Sequence, residues 1–220
     1  MSAPTAATAP APAPLGARRR PAWSRLGGGG VLLAAALLLV ATVLEYLYWE
    51  VLDQPVAVLV PFVVCFSLSL LLYFAASFPL AFGSTGDNGI VGRSVAGKAG
   101  FIGFGVFILA AQTIYLLSVY FTDQGSDLAA ADTASLVLML LQYAAAIVAG
   151  VAVLRAGVAT GFARWSLLAM LVIGIVCGAV ANSTEDYAVV TIAYLISTIA
   201  QLLVGISYLR SGTRAGAASA

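Results

Sequence analysis

The stretch RLGGGGVLLAAALLLVATVLEYLYWE, Arg25 to Glu50, opens on a cation, runs through hydrocarbon, and ends with two carboxylates among aromatic rings. A hydrocarbon layer about 30 Å thick is crossed by a helix of roughly 20 apolar residues, and residues 28–48 supply one. Working outward, the pattern recurs at 56–82, 101–120, 134–154, 165–181 and 187–209, joined by connectors that are short or rich in Gly, Asp and Ser. The composition agrees: 62% of residues are hydrophobic and 9% charged, where a soluble domain carries about 25% charged residues. These observations predict an all-α polytopic integral membrane protein, a six-helix transmembrane bundle over residues 26–210.

Residues 1–25 are rich in Ala and Pro. The alternation at Pro10, Pro12 and Pro14 favours extended polyproline geometry that builds no core, which predicts a disordered tail. Residues 211–220 form a second, short tail. Arg18, Arg19 and Arg20 ahead of an apolar run have the form of a secretory signal. The run ends in LEYLYWE, however, with no small-residue cleavage site, so the segment reads as a retained signal anchor.

The charges give the orientation. Arg18, Arg19, Arg20 and Arg25 precede the first span, Arg93 and Lys98 lie between the second and third, Arg155 and Arg164 between the fourth and fifth, and Arg210 and Arg214 follow the sixth. All ten basic residues therefore fall on one side of a six-span chain. Glu50 and Asp53, then Asp123, Asp127 and Asp132, then Glu185 and Asp186 occupy the opposite loops. The excess of cations on cytoplasmic loops predicts that both termini are cytoplasmic. Arg, Ala and Gly usage suggests a high-GC bacterium, hence its cytoplasmic membrane. Tyr46, Tyr48, Trp49, Tyr120, Phe121 and Tyr187 mark the outer interface, and Trp23, Phe82, Phe101, Phe162, Trp165 and Tyr208 the inner one.

Glu45 follows from this arithmetic. A helix beginning near Leu26 brings Glu45 to about 28 Å, at the outer boundary; one beginning at Val31 leaves it about 21 Å in, several ångströms below the surface. An intramembrane carboxylate is a functional candidate by default, so Glu45 is either an interfacial anchor or a functional acid. Glu50 lies about 140° further round the helix and does not pair with it.

Little else carries chemistry. The chain has no histidine, which removes the commonest general base and metal ligand. Cys65 and Cys177 lie in apolar runs and make neither a metal cluster nor a disulfide framework. No catalytic residue, metal or cofactor is predicted, an enzyme is the least favoured class, and no nucleic-acid partner is expected. GRSVAGKA, Gly92 to Ala99, lacks the hydroxyl that would complete a phosphate-binding loop, and it has no nucleotide-binding sheet around it. A reduced version survives: Arg93, Lys98 and the amides opening the third span are a candidate contact for a lipid phosphate. Asn182–Thr184 has the form of a glycosylation acceptor, a coincidence in a bacterium.

Uncharged polar residues converge in depth. Gln112 and Thr113, Gln142, and Ser197 and Thr198 fall about 13–16 Å into their spans, with Gln201 one turn further and Ser67 and Ser69 at comparable depth. Together they are a candidate midplane polar site, either interhelical glue or the lining of a cavity for a small neutral or zwitterionic solute or lipid. Gly174 and Gly178, a small-xxx-small pair, let another helix approach closely, within the chain or in a homo-oligomer or membrane-complex partner. The sequence therefore supports a non-enzymatic protein acting through helix–helix or lipid contacts as a membrane-complex subunit, or alternatively a transport component. An inverted repeat fits the topology, but the two halves share no convincing sequence.

Overall fold

A computed structural model describes residue 21 and residues 23–52, 54–83, 88–122 and 128–214. Most of the expected disordered tail, together with Asp53, Asp87, Asp123, Asp127 and residues 215–220, lies outside the described residues. Among the described residues there are six α-helices and no strand: α1 Gly29–Tyr46, α2 Val56–Phe82, α3 Val95–Tyr120, α4 Leu128–Ala156, α5 Ser166–Ala181 and α6 Tyr187–Arg214. The protein is an all-α membrane bundle. Five of its helical segments are long and apolar enough to cross a bilayer, Trp23–Val51, Val56–Phe82, Val95–Tyr120, Ala129–Ala156 and Tyr187–Ser211, while α5 is shorter.

Punctuation in the sequence sets the ends. Pro55 holds extended geometry before α2, and Gly83 ends that helix at φ 72°, a conformation an L side chain resists. The Ser94 hydroxyl accepts from the Gly97 amide at 3.0 Å and caps α3. Asp186 Oδ1 accepts from the Ala188 amide at 2.9 Å in the first turn of α6. The first span begins earlier than expected. Trp23–Gly28 forms a π-helical turn with Trp23 buried, so Trp23, Ser24 and Arg25 belong to the bundle and not to the tail. Trp23 meets Tyr208 edge to face at 6.4 Å; both are buried inside the bundle, so neither presents its ring to lipid.

Contacts between the ends show how the chain runs. Ser24 Oγ donates to the Tyr208 carbonyl at 3.0 Å, and the Thr160 amide donates to Ser211 Oγ at 3.2 Å. The start of α1, the loop before α5 and the end of α6 therefore share one end of the molecule. At the other end Tyr46 stacks on Tyr187 at 6.4 Å. Helix α5 begins at the first end and delivers the chain to Tyr187 at the second, so it traverses the bundle despite its length. Arg25, Arg93, Arg155, Arg164 and Arg210 belong to the first end, hereafter the basic end; Glu45, Glu50, Glu185 and Asp186 belong to the second, the acidic end.

Neighbours run in the order α4–α3–α2–α1–α6–α5, and α4 and α5 meet least. Lipid tails are as apolar as leucine, so burial alone does not drive such packing; close approach of small residues does. Gly205 on α6 faces the Leu32 backbone so tightly that an added methyl would sit 2.7 Å from its nitrogen, and Gly100 on α3 faces Ala149 at 2.8 Å. One core extends across all six helices at the basic half, including Ala34, Tyr73, Phe101, Val153, Leu167 and Val204. Toward the acidic end it divides into a cluster on α1, α2 and α3 around Phe62 and Phe66 and another on α5 and α6 around Cys177 and Ala193. Helix α4 joins neither: from Ala129 to Ala145 it buries no residue, and burial begins only at Ala146.

Candidate functional site

The most developed polar constellation is built around Glu45. Tyr115 and Tyr120 on α3 each donate a hydroxyl to Glu45 Oε1 at 2.6 Å. Trp49 Nε1, one turn beyond Glu45, donates to Tyr120 Oη at 3.0 Å. Rings support the three donors: Phe62 packs on Tyr120 at 5.0 Å, Phe66 on Tyr115 at 6.3 Å, and Tyr48 on Trp49 at 5.2 Å. The carboxylate also lies within electrostatic range of Tyr187 and Tyr194 on α6.

Depth accounts for this arrangement. Tyr120 is the last residue of α3 and Val51 closes the first span, so Glu45 stands near the acidic end of the bundle. Its helix begins at Trp23, which corresponds to the longer of the two lengths considered for the first span. Glu45 works as a clasp: α1 and α3 are not adjacent in the bundle, and the tyrosines reach past Phe62 and Phe66 of α2 to join them.

The midplane residues do not gather in one place. Tyr73 Oη on α2 donates to Gln201 Oε1 on α6 and ties those helices together. Thr113 and Thr198 donate to carbonyls of their own helices, Leu109 and Tyr194, at 2.7 and 2.9 Å. Ser69 is buried with its Oγ unpartnered among the described residues. Gln112 and Gln142 are half-buried, and Ser197 Oγ stands 3.8 Å from where a methyl on Gly174 would sit. Gly178 faces the Tyr143 hydroxyl, at 3.6 Å by the same measure. Both glycines of the small-residue pair thus look toward helices of their own chain.

At the basic end Arg93 and Lys98 separate. Lys98 Nζ lies 5.5 Å from the centre of the Phe82 ring, whereas Arg93 lines a groove shared with Arg155. Arg164 donates to the Leu154 carbonyl through Nε at 2.9 Å and Nη2 at 2.5 Å, tying the loop before α5 to the end of α4. Among the described residues no group of His, Cys, Asp and Glu is placed to hold a metal ion.

Sequence reasoning singled out Glu45 but missed Tyr115, Tyr120 as its donor, and Arg155 as the neighbour of Arg93. The signal for Tyr115 was present: a phenol inside an apolar span requires an acceptor, and Glu45 was the ionisable group at matching depth. No protein-family model, no curated protein and no solved structure matches the chain.

Proposed function

We propose that this chain is a non-enzymatic subunit of a bacterial cytoplasmic-membrane complex, with both termini cytoplasmic, and that it receives its partner along the acidic half of α4. The observation that carries this reading is the stretch from Ala129 to Ala145, about 25 Å of helix, with no buried residue. Every other long helix buries residues in that half: Ala41 and Thr42, Phe62 and Phe66, Leu116, Thr191 and Ala193. Lipid alone suits Leu136, Val137, Leu140 and Leu141, and Thr133 donates to the Ala129 carbonyl of its own helix at 2.8 Å, but lipid offers nothing to Ser135 or Gln142, because hydrocarbon satisfies no polar group. Ala129, Ala130, Thr133, Ala134, Val137 and Leu138 form one open face of the helix, a small-residue surface of the kind that admits a second helix. Several midplane polar groups are engaged within the chain, Tyr73 with Gln201 and Thr113 and Thr198 with carbonyls of their own helices, which supports contact over solute passage.

A photo-crosslinking residue at Val137 or Leu141, introduced in native membranes, tests the reading, with exposed Val60 on α2 as control. Protein adducts at the α4 positions and none at Val60 are expected; adducts with lipid alone at all three positions refute it. A homo-oligomer through Gly174 and Gly178 would instead place adducts on α5.

One observation favours a transport component: a carboxylate near one end of the bundle holds two α3 hydroxyls and lies within electrostatic range of Tyr187 and Tyr194 on α6. Thermal stabilisation of the purified protein by a small zwitterionic or neutral solute, abolished in Gln112→Leu with Gln142→Leu, would support that alternative. No shift across a solute panel rejects it.

A further inference from the structure

We propose that the groove between the start of α3 and the end of α4 is a binding site for an anionic phospholipid, whose phosphate lies between Arg93 and Arg155 and whose acyl chain follows α4. Val91, Gly92, Arg93, Ser94 and Ala96 form one wall. The other descends α4 from Arg155 through Val151 to Val148 and Ile147, about 12 Å and two helical turns. The volume is about 550 Å³, inside the range of roughly 300–1,000 Å³ found for ligand sites.

Four observations fix the occupant as a lipid with a negative head. First, Arg93 and Arg155 come from different elements, line the same groove, and make no ion pair or hydrogen bond with any described residue. The neighbouring cations are committed elsewhere, Lys98 over Phe82 and Arg164 on the Leu154 carbonyl. Second, the described acids Glu45, Glu50, Asp132, Glu185 and Asp186 belong to the opposite end, so the groove's charge stands uncancelled by them; Asp87 lies outside the described residues. Third, the Ser94 hydroxyl takes the Gly97 amide, while the amides of Val95 and Ala96 find no acceptor among the described residues. They add an oriented positive end at the same mouth. Fourth, the wall below the arginines is apolar and open to lipid, with Ile147 at 47% and Val148 at 43% exposure. Cations at the top and hydrocarbon below match an amphiphile, not a free anion. The planar guanidinium forks suit phosphate oxygens.

The test uses delipidated full-length protein in detergent, titrated with dioleoylphosphatidylglycerol, with dioleoylphosphatidylcholine and inorganic phosphate as separate arms, and read by native mass spectrometry and melting temperature. Phosphatidylglycerol should bind and stabilise more than either. With about 1 kcal/mol for each basic residue at a lipid surface, Arg93→Gln or Arg155→Gln should weaken binding about fivefold and the double variant about thirtyfold. Lys98→Gln should leave it unchanged. Equal binding of both lipids, or of phosphatidylglycerol by the double variant and the wild type, overturns the proposal. Competition by millimolar phosphate alone shows a free-anion site and overturns the lipid assignment.

Discussion

Substituting Gly205 with alanine should open the contact between α1 and α6. The added methyl would lie 2.7, 2.8 and 2.9 Å from the nitrogen, Cα and Cβ of Leu32, whereas non-bonded carbon atoms settle near 3.5–4.0 Å. Two of those three atoms are backbone, which no rotamer change can move. The helices must therefore part by about 1 Å along a face that also carries Val31, Ala34 and Ala35 in the buried core. Overpacking of this kind costs about 1–3 kcal/mol. For a chain of 150–250 residues each kcal/mol lowers the melting temperature by about 2–4 °C, which gives a fall of about 2–12 °C. The assay is thermal unfolding in detergent, with Gly174→Ala as comparison. There the nearest atom is Ser197 Oγ at 3.8 Å, so the methyl is accommodated and no fall is expected. If Gly205→Ala melts within a degree of wild type, or if both variants fall together, close helix approach is not what holds α1 to α6.

The Glu45 clasp and the α2–α6 tie are open to the same measurement. Glu45→Leu removes the acceptor of Tyr115 and Tyr120 and should destabilise by about 1–3 kcal/mol, the cost of unsatisfied donors. Adding Tyr115→Phe and Tyr120→Phe should restore part of that loss, and strict additivity of the three changes would refute the clasp. Tyr73→Phe should cost about 0.6 kcal/mol, the average for a hydrogen bond between membrane helices; no measurable change in Gln201→Leu as well would show that the bond ties nothing.

Hydropathy and charge made the helices legible because both act through counting along the chain. The second span, 56–82, coincides with α2. The third and fourth begin several residues before their apolar cores, at Val95 and Leu128, since a capping serine and a run of alanines extend a helix at little cost to hydropathy. What counting does not reach is angular phase. Gln112 and Gln142 share a depth and Gln201 lies one turn from it, yet Gln201 meets Tyr73 while the other two find no such partner among the described residues. Lys98 is five residues from Arg93, yet it turns to Phe82, and the partner Arg93 finds in the groove is Arg155, brought there by the pairing of α3 with α4. Such meetings depend on which helices are adjacent, a property of the whole bundle.

The short α5 has a consequence for the surrounding bilayer. Its 16 residues give a rod of about 24 Å, some 6 Å less than a typical hydrocarbon thickness of about 30 Å. Exposed Phe162 and Trp165 sit at one end and exposed Asn182 and Ser183 at the other, so the polar margins on that flank lie closer together than on the rest of the molecule. Hydrophobic mismatch of this size is relieved by a dimple in the membrane, at a fraction of a kcal/mol for each ångström. Acyl chains beside α5 are therefore compressed, and thin regions of bilayer are where the protein sits with least distortion.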